Sequence, residues 1–123
     1  MHSRLLTIVA LTVLTLTQFH AAAQDDWANI GRYAQANSEV TVQPKAVFMG
    51  DSITQCWWDA DQNFFTSNNF LCRGISGQTT SHMLVRMRKD VVDHHPKYVV
   101  ILAGTNDIAK NNGDISLENT LGN

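Results

Sequence analysis

Ala46-Val47-Phe48-Met49-Gly50-Asp51-Ser52-Ile53-Thr54 is the stretch on which the reading of the fold turns. Four apolar residues in a row leave no polar face, which suits a strand of a parallel sheet covered on both sides. Gly50 stops the run, and residues 53 to 65 then read as a helix that buries Ile53, Trp57, Phe64 and Phe65. The same arrangement recurs twice. Phe70-Leu71-Cys72-Arg73 stops at Gly74, and Thr79 or Thr80 caps a helix in which Leu84, Met87 and Val91 recur at i, i+3 and i+7. His94, His95 and Pro96 close that helix, and Tyr98-Val99-Val100-Ile101-Leu102-Ala103 is a third strand, stopped by Gly104. Upstream, Asp25 and Asp26 cap an amphipathic helix through Trp27, Ile30, Tyr33 and Ala34 that ends near Asn37, and Pro44 closes a short linker. Downstream, Ser116 caps one more helix. Strands alternating with helices imply a parallel sheet with right-handed crossovers, hence an α/β sandwich. A third strand without a neighbour on one side is an exposed edge, so the pattern reads as the front half of a domain with at least one or two more strands to follow.

Composition narrows the function. The chain has 123 residues, 44% of them hydrophobic and 16% charged, with no repeat, which is the make-up of one globular domain. Nine basic residues against eleven acidic ones provide no footprint for nucleic acid or for an anionic membrane surface.

The first residues read as a targeting segment. Arg4 supplies a positive charge, residues 5 to 19 are uncharged and mostly apolar, and Ala21-Ala22-Ala23 supplies small residues for a signal peptidase. The apolar run is shorter than the roughly 18 residues of a membrane-spanning helix, so stable membrane insertion after cleavage is not expected. Residues 1–23 are therefore expected to be a signal peptide cleaved after Ala23, with export to the periplasm or the extracellular space. Residues 24–45 form the helix and linker, and residues 46–123 the amino-terminal part of the α/β domain. In an oxidising compartment Cys56 and Cys72 are permitted a disulfide; two separate buried thiols are the favoured reading. No Cys/His spacing suggests a metal, and no cofactor is called for.

In an open parallel sheet, ligands gather at the carboxyl ends of the strands. Three polar loops lie there: Gly50-Asp51-Ser52-Ile53-Thr54, Gly74-Ile75-Ser76-Gly77-Gln78-Thr79-Thr80, and Gly104-Thr105-Asn106-Asp107. Ser52 opens a helix, where backbone N–H groups and the helix dipole favour developing negative charge. A serine that attacks a carbonyl creates an oxyanion, which needs two or three donors aimed at one point. The Ser52 N–H, the Gly77 N–H and the Asn106 side-chain amide are candidates, and Gly77 allows close approach of a substrate.

These three blocks resemble the first three motifs of the SGNH, or GDSL-type, hydrolases over about residues 46 to 107. The resemblance implies a flavodoxin-like three-layer α/β/α sandwich, here with three of its strands. It implies ester hydrolysis through an acyl-enzyme on Ser52, with the Ser52 and Gly77 N–H groups and the Asn106 amide as the oxyanion hole. The substrate would be a small-molecule, glycan or lipid ester. The wider α/β-hydrolase elbow fits less well, because Thr54 stands where its second glycine belongs. The family draws its base from an Asp-x-x-His motif, which this sequence does not contain, so the catalytic His and Asp are not among these residues. A serine hydroxyl is weak without a base in hydrogen-bond reach. Of the histidines beyond the targeting segment, His94 and His95 fall at the wrong end of the sheet. His82 falls at the right end but is expected to face water. The alternative is an inactive remnant, or an anion- or carbohydrate-binding module of the same fold.

Other residues have plainer readings. Trp57 and Trp58 are expected in core or rim packing rather than a substrate pocket. Asp51 and Asp107 are expected to tie down backbone N–H groups rather than hold a metal. Arg86, Arg88 and Lys89 are expected on a solvated helix face.

Overall fold

The structure, a computed structural model, describes residues 26–123. The targeting segment and the Asp25 cap lie outside the described residues. Among the described residues no helix is long and apolar enough to cross a membrane.

β1 (Ala46–Gly50) is the middle strand of a three-stranded parallel sheet of order β2-β1-β3, flanked by β2 (Phe70–Gly74) and β3 (Tyr98–Leu102). Ala46 is in register with Phe70 on one side and Tyr98 on the other, so all three strands end level, at Gly50, Gly74 and Leu102. The polar loops that follow therefore start from one edge of the sheet.

Alternation along β1 sends its residues to two separate cores. Ala46 and Phe48 join Phe65 and Cys72, with Trp58, Phe64 and Phe70 packed against them. The Phe48 ring is edge-on to Trp57 at 5.6 Å and to Phe65 at 5.4 Å. Val47 and Met49 join Met83 and Val91 on the opposite face, backed by Leu71 and Met87. The first core is closed by α2 (Ser52–Ala60) and α3 (Gln62–Ser67), the second by α4 (Thr80–Asp90). Helices on both faces of a parallel sheet make the α/β/α sandwich, and burial of each such side chain contributes about 1.5–3 kcal/mol.

Several local expectations are corrected. The first helix begins as a 3-10 turn, Ile30–Tyr33, before α1 (Ala34–Ser38). The Asp26 carboxylate caps it, accepting from the Ile30 and Gly31 N–H groups at 2.6 and 2.8 Å. Its expected apolar face is largely outside, for Trp27 and Ile30 are exposed and Ala28 is buried instead. The helix read over residues 53 to 65 is two helices. Asp61 breaks it with extended backbone (φ −148°, ψ 75°) and its carboxylate accepts from the Phe64 N–H at 3.0 Å, so a capping side chain outcompetes helix continuation. Ile53, expected inside, is exposed.

On α4 the buried stripe is Met83, Arg86 and Asp90, while Leu84 is 50% exposed. Of the expected stripe, Val91 is buried and Met87 packs against the core, while Arg86, expected on the solvated face, is buried. The two charges neutralise each other, Arg86 Nη1 lying 2.8 Å from Asp90 Oδ2 with both side chains fully buried. Arg88 and Lys89 are solvated, each near Asp93. Cys56 and Cys72 are both free, but only Cys72 is buried; Cys56 is on the surface. The Trp57 ring stacks on Phe64 at 4.6 Å and remains partly exposed, which is rim packing. Ser116 caps α6 (Leu117–Gly122), accepting from the Asn119 N–H at 3.1 Å.

Candidate active site

The loop after β1 is shaped by Asp51. This fully buried residue is the N-cap of α2, and its Oδ1 accepts from the Ile53 N–H at 2.9 Å. Ser52 is consequently the first helical residue, half-buried, with an N–H that has no intrahelical acceptor by position. The helix passes tightly over the sheet edge: a Cβ on Gly74 would lie 2.4 Å from the Gln55 nitrogen, so only glycine lets α2 cross there.

The loop after β2 turns through Ile75 to Gln78, closed by the Gln78 N–H on the Ile75 carbonyl. Gly77 takes φ +78° in this turn, a conformation that disfavours other residues, although a Cβ there would meet no neighbouring side chain within 4 Å. Two further bonds fasten the loop to β1 and α2: the Ile75 N–H donates to the Gly50 carbonyl at 3.0 Å, and the Ser76 N–H to Gln55 Oε1 at 2.9 Å.

The loop after β3 carries Asn106 in the short α5 (Thr105–Ile108), entered through Gly104 at φ +100°. Asn106 is 7% exposed. Its Nδ2 donates to the Gln78 carbonyl at 2.9 Å and lies 3.4 Å from Asp51 Oδ2. Its Oδ1 accepts from Asn111, which fixes which end of the amide is the donor. The structure thus brings the three predicted loops together: Asp51, Gln78 and Asn106 meet, each within one residue of Ser52, Gly77 or Asn106 itself. Asp51 and Asp107 bind backbone, as expected. Asp107 accepts from the Thr80 N–H at 3.0 Å and from the Thr80 hydroxyl at 2.6 Å, tying the third loop to α4.

The histidines divide. His94 and His95 lie before β3, at the opposite end of the sheet, where His94 Nε2 is 3.0 Å from Asn37 Oδ1. His82 is not the water-facing group expected. Its Nδ1 lies 2.7 Å from the Thr79 hydroxyl and 3.2 Å from the Thr79 nitrogen, completing a capping box, and its ring packs on Trp27 at 4.7 Å. Burial, partly offset by Asp107, lowers its pKa below 6.5 and favours the neutral ring that accepts from the Thr79 N–H. Among the described residues no histidine is hydrogen-bonded to Ser52.

Sequence reasoning missed the polar supports of the site. Arg86 donates to Gln78, Asp90 and the Gly50 carbonyl. The local hint is that Arg86 and Asp90 are opposite charges at i, i+4 on one helix. Asn37, read only as a helix end, receives Arg73 Nε at 2.8 Å and donates to Asp90 at 2.7 Å. Burial pushes the Arg73 guanidinium below its usual pKa; it stacks on the Tyr33 ring at 4.8 Å, with Nη2 left unpartnered. A cavity of about 470 Å³ beside the outer edge of β2 is lined by Tyr33, Trp58 and Arg73, and not by Ser52, Gly77 or Asn106.

The chain is thus a parallel α/β sandwich with a serine at the N-terminus of α2 and a buried asparagine after the third strand. The profile of the GDSL-like lipase/acylhydrolase family matches residues 48–122, and the chain belongs to that family. It is similar to the crystal structure of a GDSL-like lipase from Bacteroides thetaiotaomicron, with 45% identity and a TM-score of 0.73 over 77% of this chain. A Bacteroides fragilis protein superposes with a TM-score of 0.74 at 48% identity over 78% of the chain. The platelet-activating factor acetylhydrolase IB subunit alpha1 of Rattus norvegicus is 35% identical over 68 residues, 53% of this chain. The chain spans 48% of the length of each Bacteroides protein and 29% of the rat subunit.

Proposed function

We propose that this chain carries the nucleophile and the oxyanion hole of an exported serine ester hydrolase. The observation that supports this most is the meeting of three loops at the Asn106 amide, 2.9 Å from the Gln78 carbonyl and 3.4 Å from Asp51. In this reading Ser52 Oγ attacks the ester carbonyl, and its proton passes to a general base. The Ser52 N–H, the Gly77 N–H and Asn106 Nδ2 stabilise the oxyanion, the amide giving up its long 3.4 Å contact with Asp51 to do so. Collapse of the tetrahedral intermediate expels the alcohol and leaves an acyl-serine, which water then hydrolyses. The base belongs to an Asp-x-x-His pair in a longer domain of which these residues form the amino-terminal part. The exposed faces of β3 and the greater length of the relatives support that extension. Residues 1–23 direct export, and the substrate is a small ester, with lipid and glycan esters both compatible.

The test is ester hydrolysis by the natural gene product, with 4-nitrophenyl acetate as substrate. Ser52→Ala should abolish turnover while the fold survives by circular dichroism. Retained turnover in that variant would refute the reading.

A further inference from the structure

One buried side chain ties the loop after β1 to the loop after β2. Arg86 projects from the middle of α4 and is fully buried. Its three donor nitrogens go to three different places. Nη2 donates to the carbonyl of Gly50, the residue before Asp51-Ser52, at 3.1 Å. Nε donates to the side chain of Gln78, next to Gly77. Nη1 pairs with Asp90 at 2.8 Å. The Gln78 carbonyl in turn accepts the Asn106 amide at 2.9 Å, and the Gln78 side-chain amide donates to the Ala28 carbonyl at 2.7 Å. The Gly50 carbonyl also receives the Ile75 N–H.

We infer that Arg86 is a positioning residue for the oxyanion hole, clamping Gly50 and Gln78 so that Ser52, Gly77 and Asn106 converge on one point. The inference rests on the esterase reading and assigns Arg86 no contact with substrate. Stability alone is a poor reason for the pair. Desolvating a guanidinium and a carboxylate is costly, and apolar residues of similar volume often stabilise a core as well or better. What apolar residues cannot supply is a planar fork with fixed donor directions, which here spans two loops from different strands. A donor displaced from its target in such a site loses most of its effect, because the field must be in place before charge develops.

The experiment separates positioning from folding. The natural gene product is compared with Arg86→Met/Asp90→Leu, which removes both charges together and retains an apolar core, and with Gln78→Met, which cuts one arm and leaves the Arg86–Asp90 pair intact. Two quantities are read per folded molecule. The first is the rate at which a fluorophosphonate labels Ser52, together with kcat and KM on 4-nitrophenyl acetate. The second is the hydrogen exchange and chemical shift of the Asn106 side-chain amide by NMR, which needs no activity. The double variant should remain folded, lose about tenfold or more in labelling and kcat with KM within about twofold, and lose protection of the Asn106 amide. Gln78→Met should show the same pattern in weaker form. Unchanged labelling per folded molecule in both variants would overturn the inference. If Ser52 is not labelled in the parent, the esterase reading fails. The Asn106 amide then decides the role of Arg86 alone: an altered signal in either variant sustains the clamp, and a parental signal in both overturns it.

Discussion

β1 and β3 run side by side in register, five residues each and apolar throughout, yet every residue of β1 is buried and every residue of β3 is exposed. Val47 and Val99 are cross-strand partners at 0% and 45% exposure. Pairing satisfies the backbone of β1 on both edges and that of β3 on one; cover comes from the helices, and these lie over β1 and β2. The loops at the ends of the two strands do not follow the same division. Asp51 after β1 and Asn106 and Asp107 after β3 are all buried. The site end of β3 is therefore held by polar contacts to Asp51, Gln78 and Thr80 rather than by packing of its strand.

Pairwise substitution breaks this comparison most sharply. Val47→Asp places an uncompensated carboxylate between β1 and α4, at a cost of several kcal/mol, and should abolish cooperative unfolding in a thermal melt. Val99→Asp in the same 123-residue chain should leave the melt cooperative. Equal damage from both would mean that β3 is covered.

The polar end of β3 should respond in the opposite way. Asn106→Ala is expected to lower kcat on a small ester by about 10²–10³, because the loss falls on a donor aimed at developing charge, and also to lower the melting temperature, because the buried Asp51 carboxylate and Gln78 carbonyl lose a partner. Steady-state kinetics with a parallel melt check this, and an unchanged kcat would remove Asn106 from the oxyanion hole. Asp26→Ala should cost about 1 kcal/mol by denaturant titration, since it uncaps the turn that leads into α1.

Acid should have the smallest effect. Burial lowers the pKa of both His82 and His94 below 6.5, so the unfolded chain binds more protons than the folded one as pH falls past that value. Stability is then fully present above 6.5 and declines below it. The melting temperature should drop by a few degrees between about pH 7.5 and about pH 5.5, and His94→Gln should flatten the decline. A melting temperature that rises on acidification would contradict the sign.

How far the sequence was legible follows the same lines. Strand positions were readable because uninterrupted apolar runs ending in glycine have few other solutions in an alternating chain. The three loops were readable because strand ends place them at one edge. What escaped was decided by partners distant in sequence. Arg86 and Asp90 are charged, and on α4 alone they belong outside; only Gln78 and Gly50, brought in by β1 and the second loop, make an inward position tolerable. His82 at the start of the same helix looked solvent-facing, because neither Trp27 nor the capping geometry at Thr79 follows from helix periodicity. The break at Asp61 was legible in principle, in a capping residue within a run of Asp and Asn side chains.

The central proposal, that Ser52 is a nucleophile, is tested most directly by mass spectrometry of the natural gene product after exposure to a fluorophosphonate. The account predicts a single stoichiometric adduct on the peptide carrying Ser52, absent in Ser52→Ala and slowed in Asn106→Ala. Stoichiometric labelling elsewhere, or none at Ser52 in a folded protein, would contradict it.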